Sequence, residues 1–333
     1  MALRSIASDP MLRLLALALV LAAFLPATGE ARWVAQRAAD VGIFVLFLLN
    51  GMRIRRAEVA SGAGKLRFFL PLTLWVFGAM ALAGLGISIL AQAHVAPFVA
   101  AGFLYLGVLP TTIQSSTSYS SLAGGTIALS VIAAAVLSII GVFVSVPLFL
   151  ALGGTGEGAV GSDAIIKIFA ILILPFAIGQ LVQNRTQGFL ARHRPHIVWL
   201  DRLVIALAVY VASSGAVEQG IWTRIGPSGW AWTFALVLAF LAFGHGGAWL
   251  AAAALRLSRR DRIAFLFAGA QKSAAIGAPL ATVLFAPAVA GFLILPLLLY
   301  HLLQLVLAAP LASRLSAGHP RDDGDCAAPT TRS

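Results

Sequence analysis

The chain has 333 residues, 60% of them hydrophobic and 11% charged, with a formal net charge of +11 and a mean hydropathy of +0.95. Soluble domains are nearer half apolar and a quarter charged, and disordered chains are poorer still in apolar residues, so both classes are excluded. What remains is a polytopic membrane protein whose unbroken, non-alternating apolar runs read as helices rather than as a barrel.

At ~20 residues per crossing the length accommodates about ten spans. They are predicted in chain order at 11–28, 34–51, 68–91, 97–121, 126–152, 164–184, 197–217, 229–254, 262–285 and 288–313. The first also fits a signal peptide, with Arg4 and Arg13 ahead of an apolar run and Ala27-Thr28-Gly29-Glu30-Ala31 behind it. The internal symmetry argued below requires that helix to be retained. Pro147, Pro175 and Pro296 are expected to kink their spans. The loop around Gly153–Asp163 is short and glycine-rich, and from about Ser316 the chain turns polar, with Pro320, Asp322, Asp323, Asp325 and Pro329, and reads as a disordered tail.

The basic residues sort by loop. Arg53, Arg55, Arg56, Lys65 and Arg67 lie between spans two and three, Arg185, Arg192, Arg194 and Arg202 between six and seven, and Arg256, Arg259, Arg260 and Arg262 between eight and nine. With Arg4, Arg13, Arg314, Arg321 and Arg332 at the ends, 18 lie on one side; Arg32, Arg37, Lys167 and Arg224 lie on the other. The positive-inside rule makes both termini cytoplasmic, which an even number of spans satisfies. The high charge is therefore a topology signal and does not call for nucleic acid. A single cysteine, Cys326, excludes an internal disulfide and a cysteine metal centre.

Two spans are interrupted by polar residues. The fourth carries Leu109-Pro110-Thr111-Thr112-Ile113-Gln114-Ser115-Ser116-Thr117-Ser118-Tyr119-Ser120-Ser121, and the ninth Gly269-Ala270-Gln271-Lys272-Ser273-Ala274-Ala275-Ile276-Gly277-Ala278-Pro279. Hydroxyls are costly against lipid and proline removes a backbone hydrogen bond, so these stretches are expected to unwind. Gln114 and Gln271 stand 157 residues apart, each in the fourth helix of a five-helix half. Five is odd, so consecutive halves take opposite orientations: residues 1–152 form one repeat and 153–315 its inverted copy, with 316–333 as the tail. Matched interrupted helices in inverted halves point to a midplane binding site. The bland alternative is that the serines and threonines only knit helices together.

Lys272 lies 11 residues after Asp261, so at 1.5 Å per residue it is ~16 Å deep in a core of ~30 Å. Its stem cannot snorkel that far, so it needs a water-filled cavity or a partner. Three roles are open: a fixed charge where a transported cation would sit, a titrating group that couples protons, or the counter-charge of an anionic solute. A lysine bonded structurally to carbonyls is the fourth possibility. Asp40 and Glu218 read as interfacial, while His245 and His301 are expected to bond neighbouring carbonyls. No His-Glu-x-x-His, no deep carboxylate pair and no Gly-x-Ser-x-Gly turn occurs, so an intramembrane enzyme is not supported.

Pro110-Thr111-Thr112-Ile113-Gln114-Ser115-Ser116 followed by Leu122-Ala123-Gly124-Gly125, with Gln271-Lys272-Ser273, Gly277 and Pro279-Leu280, resembles the fourth- and ninth-helix motifs of the bile acid:sodium symporter superfamily. The similarity, to the subgroup of its seventh human member and bacterial relatives, covers roughly residues 10–315, and Phe47-Leu48-Leu49-Asn50-Gly51 fits as well. It implies ten helices in two inverted repeats, with a panel of helices 1, 2, 6 and 7, a core of 3–5 and 8–10, and crossing broken helices 4 and 9. It further implies a secondary carrier, here of a small organic anion, without a cofactor and with Na⁺ or H⁺ as the coupling ion, and the Ala- and Arg-rich composition suggests a bacterial cytoplasmic membrane. The implied solute and ion residues are Thr111, Thr112, Gln114, Ser115, Ser116, Thr117, Ser130, Gln271, Lys272 and Ser273, of which Ser115, Ser116, Ser130 and Gln271 match sodium ligands. The family pattern breaks elsewhere: an asparagine matches Ser116, a threonine Ala134, the shared glutamate Phe267 and the next asparagine Lys272. Without that carboxylate, two bound Na⁺ lack a compensating charge. Proton-coupled or uncoupled carriage through Lys272 is the alternative, and a non-transporting membrane sensor is another.

Overall fold

The computed structural model describes residues 10–54, 65–154, 166 and 169–317. Most of the Gly153–Asp163 loop, the start of the sixth expected span with Lys167, Arg55 and Arg56, and the tail beyond Ala317 with Cys326 lie outside the described residues. Every regular element among the described residues is helical.

The longer helices are α1 (Pro10–Phe24), α2 (Gly29–Arg53), α3 (Leu66–Ala91), α4 (Pro97–Val108), α5 (Ile113–Leu122), α6 (Ile127–Ala151), α7 (Leu174–Arg192), α8 (Arg194–Glu218), α9 (Pro227–Ala254), α10 (Arg259–Ala270), α11 (Ala274–Leu284) and α12 (Pro287–Ala317). Among the described residues, seven spans are long and apolar enough to cross a membrane, α10 with α11 counting as one, and α4 with α5 makes an eighth if that bent pair is one span. The protein is thus a multi-pass membrane protein. The first expected span is shorter than predicted: α1 stops at Phe24 because Leu25 precedes Pro26, which disfavours helical backbone there. Its 15 residues reach only about 22 Å.

Starts and stops follow local chemistry. Proline occupies the first turn of α4, α8 and α9, where its missing N–H costs nothing. Ser258 caps α10 by accepting from Asp261 N at 3.2 Å, and Ser273 caps α11 by accepting from Ile276 N at 3.2 Å. Pro71 sits inside α3, and a π-turn over Trp75–Ala79 follows it. Pro147, Pro296 and Pro310 lie within helices that run through them.

The helices fall into two packed groups. In one, α2 lies on α7, and α8 covers α1 and α2; in the other, α3, α4, α9 and α12 pack with α5, α6 and α10. The groups meet where α8 packs on α11 and α12. Close approaches use glycine: a Cβ on Gly51 of α2 would lie 2.2 Å from Phe176 O, and one on Gly215 of α8 would lie 2.1 Å from Pro287 O. Without a hydrophobic drive between helices in lipid, such backbone contact is a main source of association. Arg32 pairs with Glu218 at one end of the antiparallel α2 and α8, and Arg53 with Asp201 at 2.6 Å at the other. Gln180, Gln183 and Gln187 of α7 donate to carbonyls of Gly51, Met52 and Ile54, satisfying the open end of α2. Leucines 70, 74, 82 and 250 are exposed on the outside, as a lipid-facing surface requires. The α10–α11 span is 94% buried against 33% for α9, so it lies in the interior.

Candidate functional site

Both polar stretches interrupt their helices. Leu109-Pro110-Thr111-Thr112 leaves the helical path, with Leu109 at ψ 148° and Thr112 at ψ 135°, and α4 and α5 meet across it at a bend of 61°. Gln271, Lys272 and Ser273 break the path from α10 to α11, with Gln271 at ψ 135° and Ser273 at ψ 103°. The two breaks bond each other: Ser273 N donates to Pro110 O at 3.0 Å, and Ser115 Oγ donates to Gln271 Oε1 at 2.9 Å. Thr126, at the head of α6, ties the entrance of α10 by donating through Oγ1 to Asp261 at 2.6 Å and through its N–H to Arg260 O at 3.1 Å.

A cavity of about 610 Å³ opens beside this crossing, between the two helix groups. Thr112, Gln114, Ser115 and Ser273 line it, and so do Asn50, Ser118, Tyr119, Ser138 and His301. Its apolar wall comes from both groups and includes Phe47, Phe176, Val142, Ile205 and Leu305. The charged groups on the wall are Arg53, Asp201 and Arg202. Thr112 and Ser273 are also the N-cap residues of α5 and α11, so two positive helix ends flank the same space.

The remaining expected site residues sit behind that wall or beside it. Thr111, Ser116, Ser130, Gln271 and Lys272 are fully buried and do not line the cavity. Ser130 Oγ donates to Ser120 Oγ at 2.6 Å, an internal tie of α6 to α5. The hydroxyl of Thr117 turns back to the carbonyls of Ile113 and Gln114 at 2.7 and 3.1 Å. Thr111 Oγ1 and Gln271 Nε2 are buried without a hydrogen-bond partner. Lys272 therefore does not face the cavity that its depth suggests. Its Nζ donates to Leu109 O at 2.7 Å, Gly107 O at 2.8 Å and Val76 O at 3.4 Å.

Four residues outside the expected site hold this arrangement. Gln304 accepts from Lys272 N at 2.8 Å and donates to Lys272 O at 3.0 Å. Tyr300 donates to Ala270 O at 2.7 Å, Tyr105 to Gly277 O at 2.6 Å and Ser145 to Val108 O at 2.8 Å. Gln304, Tyr300 and Ser145 answer backbone groups that the interruptions leave open, Tyr105 ties α4 to the interior of α11, and the available signal was a polar atom deep in an apolar span. His301 Nδ1 meets Gln304 Nε2 at 2.8 Å, and the residue lines the cavity. His245 does bond a carbonyl, Leu241 O of its own helix, at 3.0 Å. Phe267, at the position of the family's glutamate, is fully buried with its ring 5.9 Å from that of Tyr119.

Residues 9–317 match the SBF-like CPA transporter family. The chain is 36% identical over 313 residues to the uncharacterized protein PA2026 of Pseudomonas aeruginosa, covering 92% of both chains. It is 33% identical over 307 residues to YfeH of Escherichia coli, a candidate symporter by name, again over 92% of both. Sodium/bile acid cotransporter 7 of Rattus norvegicus is 21% identical over 296 residues, covering 83% of this chain and 82% of its own.

Proposed function

The chain belongs to the SBF-like CPA transporter family, and from that premise we propose that it carries a small organic anion across the membrane by alternating access. The observation that carries this reading is the cavity itself, walled on one side by α1, α2, α7 and α8 and on the other by two interrupted helices with α6 and α12. In this reading the chain forms ten spans in two inverted halves, the first helix group is the panel, and the second is the core that rocks against it. Thr112, Gln114, Ser115 and Ser273 contact the solute in the state with the cavity open. Thr111, Ser116, Ser130 and Gln271 are the hinge packing beneath them. Arg53 and Arg202 supply positive charge to an anion, and Asp201 holds Arg53 while the cavity is empty. With the basic loops cytoplasmic, the cavity opens inward, and the membrane is the bacterial cytoplasmic one.

Carriage does not depend on two sodium ions. The polar groups gathered at the crossing are hydroxyls, amides and one ammonium, and Phe267 offers no charge to offset a cation. A second reading keeps the fold and couples protons through Lys272, whose side chain is wholly buried. The test is solute counterflow into liposomes containing the purified chain, loaded with a mixture of small organic anions, at several pH values and with choline replacing sodium. Exchange that is indifferent to sodium and to pH is the expected result. Strong sodium stimulation overturns the coupling assignment, a steep pH dependence selects the proton reading, and solute binding without movement points to a sensor.

A further inference from the structure

Among the described residues, the hydrogen-bond partners of Lys272 Nζ are three backbone carbonyls. Two of them, Gly107 O and Leu109 O, lie at the broken C-terminal end of α4, where the last carbonyls lack intrahelical donors and the helix dipole is negative. The third, Val76 O, lies in the π-turn of α3, the other place in this region where regular helical pairing is interrupted. Three acceptors match the three N–H groups of an ammonium; a neutral amine would offer two and turn a lone pair on a carbonyl. Rings of backbone carbonyls are also how proteins strip and hold a bare monovalent cation inside a membrane. The side chain is wholly buried, although the next residue, Ser273, lines the cavity.

We propose that the carbonyl cage of Val76, Gly107 and Leu109 is a monovalent-cation site that the chain fills permanently with its own Lys272 ammonium. The tether supplies the positive charge that holds the end of α4 against α3 and the α10–α11 break, with no ion taken from solution. Gln304 fixes the tether's root by bonding both the N–H and the C=O of Lys272. The cage then needs an exogenous ion only when the lysine is removed. The occupant it accepts is potassium or ammonium, both near the size of the group it now holds. This deepens the carrier reading by assigning the ion requirement, and because it is read by stability rather than transport the two can fail separately.

The experiment is thermal unfolding of the purified full chain in lipid nanodiscs, with choline, sodium, potassium, ammonium or methylammonium chloride at matched ionic strength. The unmodified chain is expected to unfold at one temperature in all five. Lys272→Ala, which empties the cage, is expected to melt lower in choline and to regain about 5 °C or more in potassium or ammonium, by mass action on the folded state. Lys272→Met, which fills the space with an uncharged stem, is expected to melt lower and to regain nothing. Overturning results are a Lys272→Ala midpoint no more responsive to small cations than that of the unmodified chain, or rescue of Lys272→Met to the same extent. If Lys272→Ala yields no folded protein, Lys272→Ser decides: recovery in potassium but not in choline supports the tethered cation, and equal recovery overturns it.

Discussion

Gln304 shows how one side chain makes an interrupted helix affordable in a membrane. Its amide treats the backbone of Lys272 as a neighbouring strand would, accepting from the N–H and donating to the C=O, while His301 steadies it from one turn away. Buried backbone groups left unpaired cost about 1–3 kcal/mol each. Gln304→Leu should therefore lose about 2–5 kcal/mol of folding stability, read as a lowered unfolding midpoint in nanodiscs, and Gln304→Glu, which keeps the acceptor, should lose less. An unchanged midpoint in Gln304→Leu would mean that Lys272 finds other backbone partners. The residue escapes a sequence reading because a lone glutamine in an apolar helix gives no hint of the strand-like partner it serves. Lys272 does announce itself, through depth alone, but depth cannot tell a cavity from a cage of carbonyls.

At the scale of elements, helix contacts are set by which glycines face another backbone. A Cβ on Gly51 would meet Phe176 O at 2.2 Å, whereas one on Gly246 of α9 would meet nothing within 4 Å. Gly51→Ala must push α2 off α7 and is expected to cost about 1–3 kcal/mol. Gly246→Ala, in an exposed helix interior, should be neutral or stabilise by up to about 1 kcal/mol through helix propensity. Comparing the two unfolding midpoints checks this, and equal effects would mean that the α2–α7 contact yields freely. The breaks at 109–112 and 271–273 were legible in the sequence because proline and crowded hydroxyls cannot continue a helix cheaply in lipid. By contrast, the π-turn over Trp75–Ala79 was not: its residues are apolar and helix-compatible, and the widened turn appears only against the partner that takes its carbonyl.

On the scale of the molecule, the two helix groups leave one face of the crossing open to the cavity and bury the other. Ser118 is exposed on the cavity wall, while Ser116, two residues earlier, is fully buried. In a Cys326→Ser background, Ser118→Cys should react with a membrane-impermeant thiol reagent and Ser116→Cys should not. The reaction should be confined to inverted vesicles if the basic loops are cytoplasmic. Reaction from the opposite face alone would reverse the orientation drawn from charge, and equal reaction of both cysteines would remove the buried side of the crossing.

By itself the sequence determined that the chain is a helical membrane protein, where its helices are interrupted, and which family supplies its motifs. Hydropathy, loop charge and proline act over short stretches and leave a readable pattern. The tertiary structure alone decided which polar residues share the cavity and which are spent on internal bonds. Thr112 and Ser273 line one cavity from different interrupted helices, Arg53 reaches Asp201 from another part of the chain, and Lys272 turns away into carbonyls contributed by α3 and α4. Such partners are chosen by how helices distant in sequence pack, and no local pattern records that choice.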